Sequence, residues 1–500
     1  MGQVLSIDAG TTGVRAMTFG EDGRPLSRSY REITQHFPRP GWVEHDPQEI
    51  WEAVCATVQE ALAGSGGPVA AVGVTNQRET VVAWDRRSGR PLQRALVWQD
   101  RRTAPRCAEL DAGGHLPMIR HRTGLVLDPY FSSTKMEWLL TEGGVPAGPD
   151  LALGTVDSWV IWNLTGGPSG GLFVTDPSNA SRTMLFDIRR GCWDEDLLGL
   201  FGVPVGALAE VRPSSGDLGR VKAASLPALA DGTPVAGVAG DQQAALFGQA
   251  CFDPGQAKNT YGTGSFVLIN NGPTCPEPAD GLLASVAWQL GPAPSVYAVE
   301  GSVFVTGAAL QWLRDGLGII SDVAETEALA AACPDTEGVY FVPALTGLGS
   351  PWWDPDARGV VVGLSRGSGR AHLARAAVES MAFQTRDVID TMTRAGCPPI
   401  SVLRVDGGAS VMELLLQIQA DQLQVPVARA TVAETTALGA AWLAGLGQGV
   451  WGSLDDLRRL WKPDVQVEPR ITRGGADTRH AGWLRALERS RSWARSADLA

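Results

Sequence analysis

The amino-terminal segment alternates short apolar stretches with glycine-rich turns. Residues 4–7 (VLSI) predict a buried strand, residues 8–13 (DAGTTG) a turn, and residues 14–19 (VRAMTF) a second strand. The turn at 21–25 (EDGRP) that follows is typical of a connection between antiparallel strands. We therefore predict that the chain opens with antiparallel strands joined by a Gly/Thr turn.

A helix and a further strand follow this opening. Between Pro47 and Leu62 the apolar residues recur at helical spacing. Asp46 is the predicted N-cap, with Pro47 at the first helical position, where its missing N–H costs no hydrogen bond. Residues 69–74 (VAAVGV) then predict a short strand that ends in the polar run 75–79 (TNQRE).

A second strand–turn–strand unit lies near the middle of the chain. Residues 235–240 predict a strand and residues 242–248 a helix. Residues 257–261 and 266–269 predict two strands around the turn 262–265 (GTGS). The order repeats that of the amino terminus, so the sequence indicates two related halves.

The remaining pattern completes an α/β chain. Residues 402–405 predict a strand that leads into the turn 406–410 (DGGAS) and a helix through Gln417 and Ala420. A last amphipathic helix is predicted at 481–494. Short strands that alternate with helices predict the α/β class.

Length and charge limit the domain count and the partners. The 500 residues exceed one ordinary domain, and 44% hydrophobic residues suffice for a large core. We place the boundary between Asp241 and Gly255, with domains at 1–247 and 248–500. A net charge of −12 argues against nucleic acid or an anionic membrane as the main partner.

Cysteine usage and hydropathy predict a cytoplasmic protein. The seven cysteines are scattered and contain no CxxC, which argues against a disulfide framework or a zinc site. No apolar run reaches 18 residues, and the start lacks the pattern of a signal peptide. We expect no membrane insertion.

Three Gly/Thr/Ser turns carry the candidate chemistry, and each follows a predicted strand: residues 8–13, 262–265 and 406–410. Glycines in such turns let backbone N–H groups point at a phosphate, and hydroxyls add donors. Asp8, at the end of its strand, can reach Mg²⁺ directly or through water. Because GxxxxGK[ST] and the HRD…DFG set are both missing, a P-loop NTPase and a protein kinase are excluded.

Four motifs together resemble a known family. They are DAGTTGVR (8–15), GDQQ (240–243), GTG (262–264) and DGG (406–408). The combination resembles the FGGY carbohydrate kinases of the actin-like ATPase superfamily. The resemblance runs from about Val4 to Trp451 and implies two ribonuclease-H-like domains, with ATP and substrate meeting in the cleft between them.

Within that family, further motifs resemble the members that phosphorylate glycerol: NQRET (76–80), VWQDRR (97–102), DPYFS (128–132), DPSNASRT (176–183) and KNTY (258–261). Asp241 is then implied as the general base for the attacking hydroxyl and as a neighbour of Mg²⁺. The implied glycerol pocket consists of Arg78, Glu79, Trp98, Tyr130, Asp241, Gln242 and Phe266.

The same resemblance implies a nucleotide site. Asp8 would hold the metal. The implied phosphate contacts are Thr11, Thr12, Gly13, Arg15 and Thr263. The implied nucleoside contacts are Gly307, Gln311, Gly408 and Met412. Relatives often have Gln at position 9, Ser at 13 and Asn at 412, so Ala9, Gly13 and Met412 are departures that bear on nucleotide binding.

Simpler interpretations of single residues stay open at this point. Asp241 could be the N-cap of the helix at 242–248, and Arg78 with Glu79 could be a surface ion pair. Phe266 lies in an apolar strand and could be core packing.

The predicted function is an ATP- and Mg²⁺-dependent kinase that converts glycerol to sn-glycerol 3-phosphate. One alternative is another FGGY kinase, for xylulose, ribulose or gluconate. Arg78 and Glu79 with Trp98 and Tyr130 favour glycerol, because a larger polyol needs a roomier pocket. The other alternative is a catalytically silent actin-like scaffold. Relatives commonly form homo-oligomers, so a dimer or tetramer is expected.

Overall fold

The structure is a computed structural model that describes residues 2–494. Its first half begins with the sheet strands that the sequence predicts. The strands of this half are β1 (Gln3–Ala9), β2 (Gly13–Phe19), β3 (Pro25–Glu32), β4 (Glu44–His45), β5 (Val69–Asn76), β6 (Val81–Asp85), β7 (Ala95–Leu96), β8 (Leu151–Thr155), β9 (Val174–Thr175), β10 (Phe186–Asp187), β11 (Cys192–Trp193), β12 (Glu210–Val211) and β13 (Val235–Gly240). The helices are α1 (Pro47–Ser65), α2 (Ala104–Ala112), α3 (Leu116–Thr123), α4 (Ser132–Thr141), α5 (Val156–Leu164), α6 (Pro177–Ala180), α7 (Glu195–Phe201) and α8 (Asp241–Gly248).

The second half repeats strands followed by helices. Its strands are β14 (Ala257–Tyr261), β15 (Ser265–Gly272), β16 (Leu283–Trp288), β17 (Val296–Val303), β18 (Tyr340–Val342), β19 (Val360–Val362), β20 (Leu403–Asp406), β21 (Val427–Ala430) and β22 (Pro463–Val467). Its helices are α9 (Gly307–Asp315), α10 (Glu325–Ala331), α11 (Arg370–Arg394), α12 (Glu413–Leu423), α13 (Thr435–Gly447), α14 (Leu454–Leu460) and α15 (Arg473–Leu487). Single 3₁₀ turns occur at Gly167–Ser169, Val205–Ala207 and Gly408–Val411.

The two large sheets have the same core topology. In the first, the order is β13-β5-β1-β2-β3, with β1 antiparallel to β2 and parallel to β5. In the second, β21-β20-β14-β15-β17 has the same order, with β14 antiparallel to β15 and parallel to β20, and β22 and β16 extend its edges. This duplication confirms the prediction of two ribonuclease-H-like domains.

The registers of the parallel strands bring the motifs together. Asp8 pairs with Thr75, and Asn76 pairs with Gly240. The carboxyl ends of β1, β5 and β13 therefore meet at one edge of the sheet, which is the usual location of a ligand site in an open α/β sheet. Thr260 of β14 and Asp406 of β20 meet in the same way in the second sheet.

Helices α8 and α13 cross where the two halves meet. Helix α13 also packs on β1, β5 and β13, and α8 also packs on β14, β15 and β16. The crossing is close because a Cβ at Gly439 would lie 1.8 Å from the carbonyl oxygen of Ala244, and one at Gly248 would lie 2.0 Å from that of Thr435. The two halves are thus joined by backbones in direct contact.

Most predicted elements are confirmed. The predicted strand 257–261 matches β14 residue for residue, and α1 begins at Pro47 with the Asp46 carboxylate accepting from the Gln48 N–H. The last helix was placed wrongly at 481–494. It spans Arg473–Leu487 because the Thr472 hydroxyl caps it by accepting from the Gly475 N–H, and turns follow from residue 488. Among the described residues, no helix is long and apolar enough to cross a bilayer.

Candidate active site

Arg78 and Glu79 follow β5 and are buried, at 2% and 1% exposure, so the surface-pair interpretation is wrong. Glu79 has φ 62°, a strained value for a residue with a side chain. Its carbonyl oxygen accepts from the Ser132 hydroxyl at 2.9 Å. This turn directs both side chains into the region between the two halves, where their partners come from four other segments.

The guanidinium of Arg78 connects several of the predicted pocket residues. Its Nε lies 3.2 Å from Oδ1 of Asp241, and its Nη2 donates to the Tyr130 hydroxyl at 3.2 Å. Its Nη1 and Nη2 donate to the two carboxylate oxygens of Glu300 at 2.6 and 3.1 Å. Arg78 is therefore fixed on both edges, with one edge facing Asp241.

A second buried arginine extends this network. Arg182 Nε donates to Glu79 Oε1 at 2.6 Å, and its Nη2 donates to Glu300 Oε1 at 3.4 Å. The charges alternate along the chain of contacts Asp241–Arg78–Glu300–Arg182–Glu79, which we call the ionic chain. Burial alone would raise the pKa of Glu300, but Arg182 and Arg78 lower that pKa to about 2. Glu300 is therefore a carboxylate at any physiological pH.

Aromatic rings line the same region. The rings of Trp98 and Tyr130 meet edge to face, with centroids 5.4 Å apart. Phe266 lies 5.9 Å beneath the guanidinium of Arg78 and also packs against the apolar core, so core packing and a site contact are both present. An aromatic wall of this kind suits the carbon backbone of a small polyol, while carboxylates and guanidinium groups suit its hydroxyls.

Asp241 begins α8 as its first residue, so the predicted N-cap alternative is wrong, since Gly240 occupies that position. Its Oδ1 accepts from the Gln242 N–H at 2.7 Å, and its side chain is 31% exposed. Burial raises the pKa of Asp241, while Arg78 and Lys258 lower it. A partly exposed carboxylate at a helix start is accessible enough to act as a proton acceptor.

Asp8 lies close enough to Asp241 for their charges to interact. Burial raises the pKa of Asp8 to about 7, Arg15 lowers that pKa, and Asp241 raises it further. No group of three or more His, Cys, Asp or Glu side chains within residues 2–494 could hold a metal. Two repelling carboxylates beside a phosphate turn nevertheless fit Mg²⁺, which proteins commonly bind through one or two carboxylates plus waters and substrate phosphates.

Lys258 lies in β14 of the second sheet and adds a buried cation to the site. Its Nζ donates to the Gln242 side-chain oxygen and, at 2.9 Å, to the Thr260 hydroxyl. Burial lowers the pKa of Lys258 to about 8, and nearby Asp406, Glu300 and Asp241 raise it. Predicted Gln242 is therefore buried and held by Lys258.

The first predicted phosphate turn lies between β1 and β2. The hydroxyl of Thr12 is exposed and lies 3.2 Å from that of Tyr30. Arg15 contacts Glu434 and lies 3.8 Å from Asp8. A Cβ at Gly13 would approach the Arg31 carbonyl oxygen to 2.5 Å. The departure at position 13 thus has a steric cause in this chain, because a serine there has no room.

The remaining predicted nucleotide contacts, Thr263 for the phosphates and four residues for the nucleoside, lie in the second half. Thr263 is exposed, and its carbonyl oxygen accepts from the Thr306 and Ala308 N–H groups at 2.9 and 3.0 Å. Gly307 begins α9, Gln311 is exposed on the same helix, and Gly408 is exposed. Met412 differs, because it is 5% exposed and packs in the core of the second half.

Three residues of the site carried no predicted role: Arg182, Glu300 and Lys258. Arg182 and Lys258 lie within motifs that the sequence analysis quoted, so the motif context was available. Glu300 had one local signal, because it is a single acidic residue inside the apolar stretch VYAVEGSV of β17. A charge buried within a sheet needs a partner of opposite sign, which points to a network.

Comparisons with known proteins agree with this geometry. The model for the N-terminal domain of the FGGY family of carbohydrate kinases matches residues 3–248, and the model for the C-terminal domain matches residues 257–447. A glycerol kinase from Dechloromonas aromatica is 52% identical, over 98% of both chains. The structure resembles that of Plasmodium falciparum glycerol kinase with ADP, at TM-score 0.92 and 33% identity over 98% of both chains. It also resembles xylulose kinase from Rhodospirillum rubrum, at TM-score 0.85 and 26% identity, over 97% of this chain and 98% of the other.

The duplicated sheet and the matches to both family domains define a carbohydrate kinase of actin-like architecture. The chain belongs to the FGGY family of carbohydrate kinases.

Proposed function

We propose that the protein is a glycerol kinase, which transfers the γ-phosphoryl group of ATP to glycerol and gives sn-glycerol 3-phosphate and ADP. The observation that carries the proposal is the contact of Arg78 with both Asp241 and Tyr130 beside the Trp98 ring. Relatives about half identical over nearly the full chain bear that name, which supports it.

Asp241 would accept the proton of the attacking terminal hydroxyl as the γ-phosphoryl group moves in line. Arg78 would hold this carboxylate through its Nε and keep it ionised. Arg78, Glu79, Tyr130 and Gln242 would bind the polyol hydroxyls, while Trp98 and Phe266 would pack on its carbon chain. Positioning and charge then supply most of the catalysis, as in other phosphoryl transfers.

The phosphates would lie between the turns of the two halves. Thr11, Thr12, Gly13, Arg15 and Thr263 would contact them, and Gly307, Gln311 and Gly408 would frame the nucleoside. Met412 would act there only through its backbone, because its side chain is buried. Asp8 and Asp241 would hold Mg²⁺, which neutralises the phosphates when bound.

The first experiment measures ADP release with Mg·ATP against glycerol, dihydroxyacetone, xylulose, ribulose and gluconate. We expect kcat/KM for glycerol to exceed that for each of the other substrates at least tenfold. A preference for a pentulose or for gluconate would transfer the proposal to another FGGY kinase. No ADP release with any of the substrates would favour a catalytically silent actin-like scaffold.

We further propose that the protein is cytoplasmic and homo-oligomeric, as a dimer or tetramer, with two domains at 1–247 and 248–500. All seven cysteines are free, which fits a reducing compartment. Light scattering of the purified protein measures the oligomeric state, and limited proteolysis between residues 241 and 255 tests the boundary.

A further inference from the structure

Glu300 occupies an unusual place for a carboxylate. It lies in β17, between β16 and β15 of the second large sheet, with no exposed surface. Each carboxylate oxygen is used: Oε2 accepts from Arg78, while Oε1 accepts from Arg78, from Arg182 and from the Ser302 hydroxyl at 3.1 Å. A buried carboxylate is costly unless its hydrogen bonds are complete, and here four donors complete them.

The two charged partners of Glu300 belong to the other half of the chain. Arg78 follows β5 and Arg182 follows α6, both in the first half, whereas Glu300 lies in the second. The ionic chain therefore crosses between the halves at this one carboxylate. Arg78 meets Asp241 at its opposite edge, and Arg182 meets Glu79. Both carboxylates of the proposed polyol pocket are reached from Glu300 through one guanidinium each.

The two arginines repel each other, because the charge of Arg78 lowers the pKa of Arg182, while Glu300 raises it. Glu79 also neighbours both cations, at 3.8 Å from Arg78 Nε and 2.6 Å from Arg182 Nε, but the two Nη groups of Arg78 donate to Glu300. Without the Glu300 charge these two bonds are weakened and the repulsion between the arginines is less compensated. The Nε of Arg78 would then lose its fixed direction toward Asp241. The Tyr130 hydroxyl, which accepts from Arg78, would lose its partner as well.

We propose that Glu300 is a positioning residue for the polyol, which fixes Arg78 and Arg182 and thereby makes the pocket residues of the first half depend on the second sheet. The inference rests on the proposed glycerol kinase function and deepens it. Glu300 touches neither substrate in this assignment. It acts by orienting the guanidinium groups of Arg78 and Arg182, which in turn hold Asp241 and Glu79.

The test is Glu300→Gln, which keeps the shape but removes the charge, measured by kcat, KM for glycerol, KM for ATP and melting temperature. We expect KM for glycerol to rise at least tenfold, with KM for ATP within threefold of wild type. The matched control is Glu379→Gln in α11, another buried glutamate, which pairs with Arg375 at 2.9 Å outside the ionic chain. We expect this control to lower the melting temperature and to leave both KM values unchanged.

A merely structural role gives a different result. If Glu300→Gln lowers the melting temperature like the control but leaves KM for glycerol within twofold, the inference is overturned. Should Glu300→Gln fail to fold, Ser302→Ala removes one donor to Glu300 and keeps its charge. We expect this variant to raise KM for glycerol two- to fivefold, and an unchanged KM overturns the inference. Wild-type protein that does not phosphorylate glycerol instead refutes the proposed function, so the two failures are distinguishable.

Discussion

The indole Nε1 of Trp98 donates a 2.9 Å hydrogen bond to the hydroxyl of Thr11. Trp98 belongs to the aromatic wall of the proposed polyol pocket, and Thr11 belongs to the proposed phosphate turn after β1. This bond joins the two parts of the site that, in the proposed function, would hold the acceptor and the phosphoryl donor. A single contact thus aligns residues that are 87 positions apart in the chain.

Replacing Trp98 with Phe keeps an aromatic wall but removes this donor. A hydrogen bond of this type contributes about 0.5–1.5 kcal/mol, so we expect kcat/KM for glycerol to fall about 3- to 10-fold. The control is Trp193→Phe, whose indole donates to the Ala209 carbonyl oxygen away from the site. Steady-state kinetics of both variants test this prediction, and an equal fall in kcat/KM in the two variants would contradict the assignment.

Asp241→Asn removes the proposed proton acceptor with little change in shape. We expect kcat to fall by about 10²–10⁴, because general-base catalysis contributes roughly that much. Glycerol binding, measured by calorimetry, should stay within tenfold of wild type, and the melting temperature should change little. Asp111→Asn, at an exposed position on α2, serves as control and should retain full activity. A near-normal turnover in Asp241→Asn would refute the role of this residue.

Asp157 predicts a pH dependence of stability. Burial raises its pKa to about 7, although the hydroxyls of Thr155 and Thr175 donate to it and lower the value. The unfolded chain releases this proton near pH 4, so the free energy of unfolding falls as pH rises from about 4 to 7 and then levels, by up to about 4 kcal/mol.

Asp157→Asn removes this penalty. Its melting temperature relative to wild type should therefore rise between pH 5 and pH 8, by several degrees. The exposed Asp150→Asn, which precedes β8, should show a constant difference over the same range. A difference for Asp157→Asn that is equally constant with pH would contradict the prediction. Thermal melts at four pH values are sufficient.

The crossing of α8 and α13 predicts a strong effect of one methyl group. Because a Cβ at Gly439 would lie 1.8 Å from the Ala244 carbonyl oxygen, Gly439→Ala must push the two backbones apart. We expect a loss of at least about 1–3 kcal/mol in the free energy of unfolding. Gly199→Ala in α7, where a Cβ meets nothing within 4 Å, should be neutral or stabilising by up to about 1 kcal/mol. Denaturant titration compares the two.

Local sequence patterns predict most of the helices and strands of the fold. The strand around Val4, the helix that starts at Pro47 and the strand 257–261 each have an apolar period or a cap that depends only on neighbouring residues. The Thr472 cap is an equally local signal for the start of the last helix, and the prediction of 481–494 missed it. Trp483 of the same helix depends on a distant partner, because its indole donates to Asp387 at 2.8 Å, and such a tertiary contact leaves no local trace.

The residues of the site likewise divide into those that local motifs predict and those whose role depends on distant contacts. Residues such as Asp241 and Arg78 lie in motifs, and their positions agree with a shared pocket. The role of Glu300 depends on two arginines more than 100 positions away, so no spacing rule could reveal it. Met412 shows the opposite case: its place in a motif predicts a nucleotide contact, which stays a prediction, but the motif gave no sign that its side chain packs in the core.

The exchange of helices between the halves affects how the chain folds during synthesis. The face of the first sheet that contains Val4, Ala71 and Ala236 is covered by α13. The ribosome must add 207 residues after Gly240 before Gly447, the last residue of α13, is made, which takes about 10–40 s. During that time the nascent amino-terminal half has a complete sheet with an uncovered apolar face. We expect this intermediate to need a chaperone, and a chain truncated after residue 248 to aggregate.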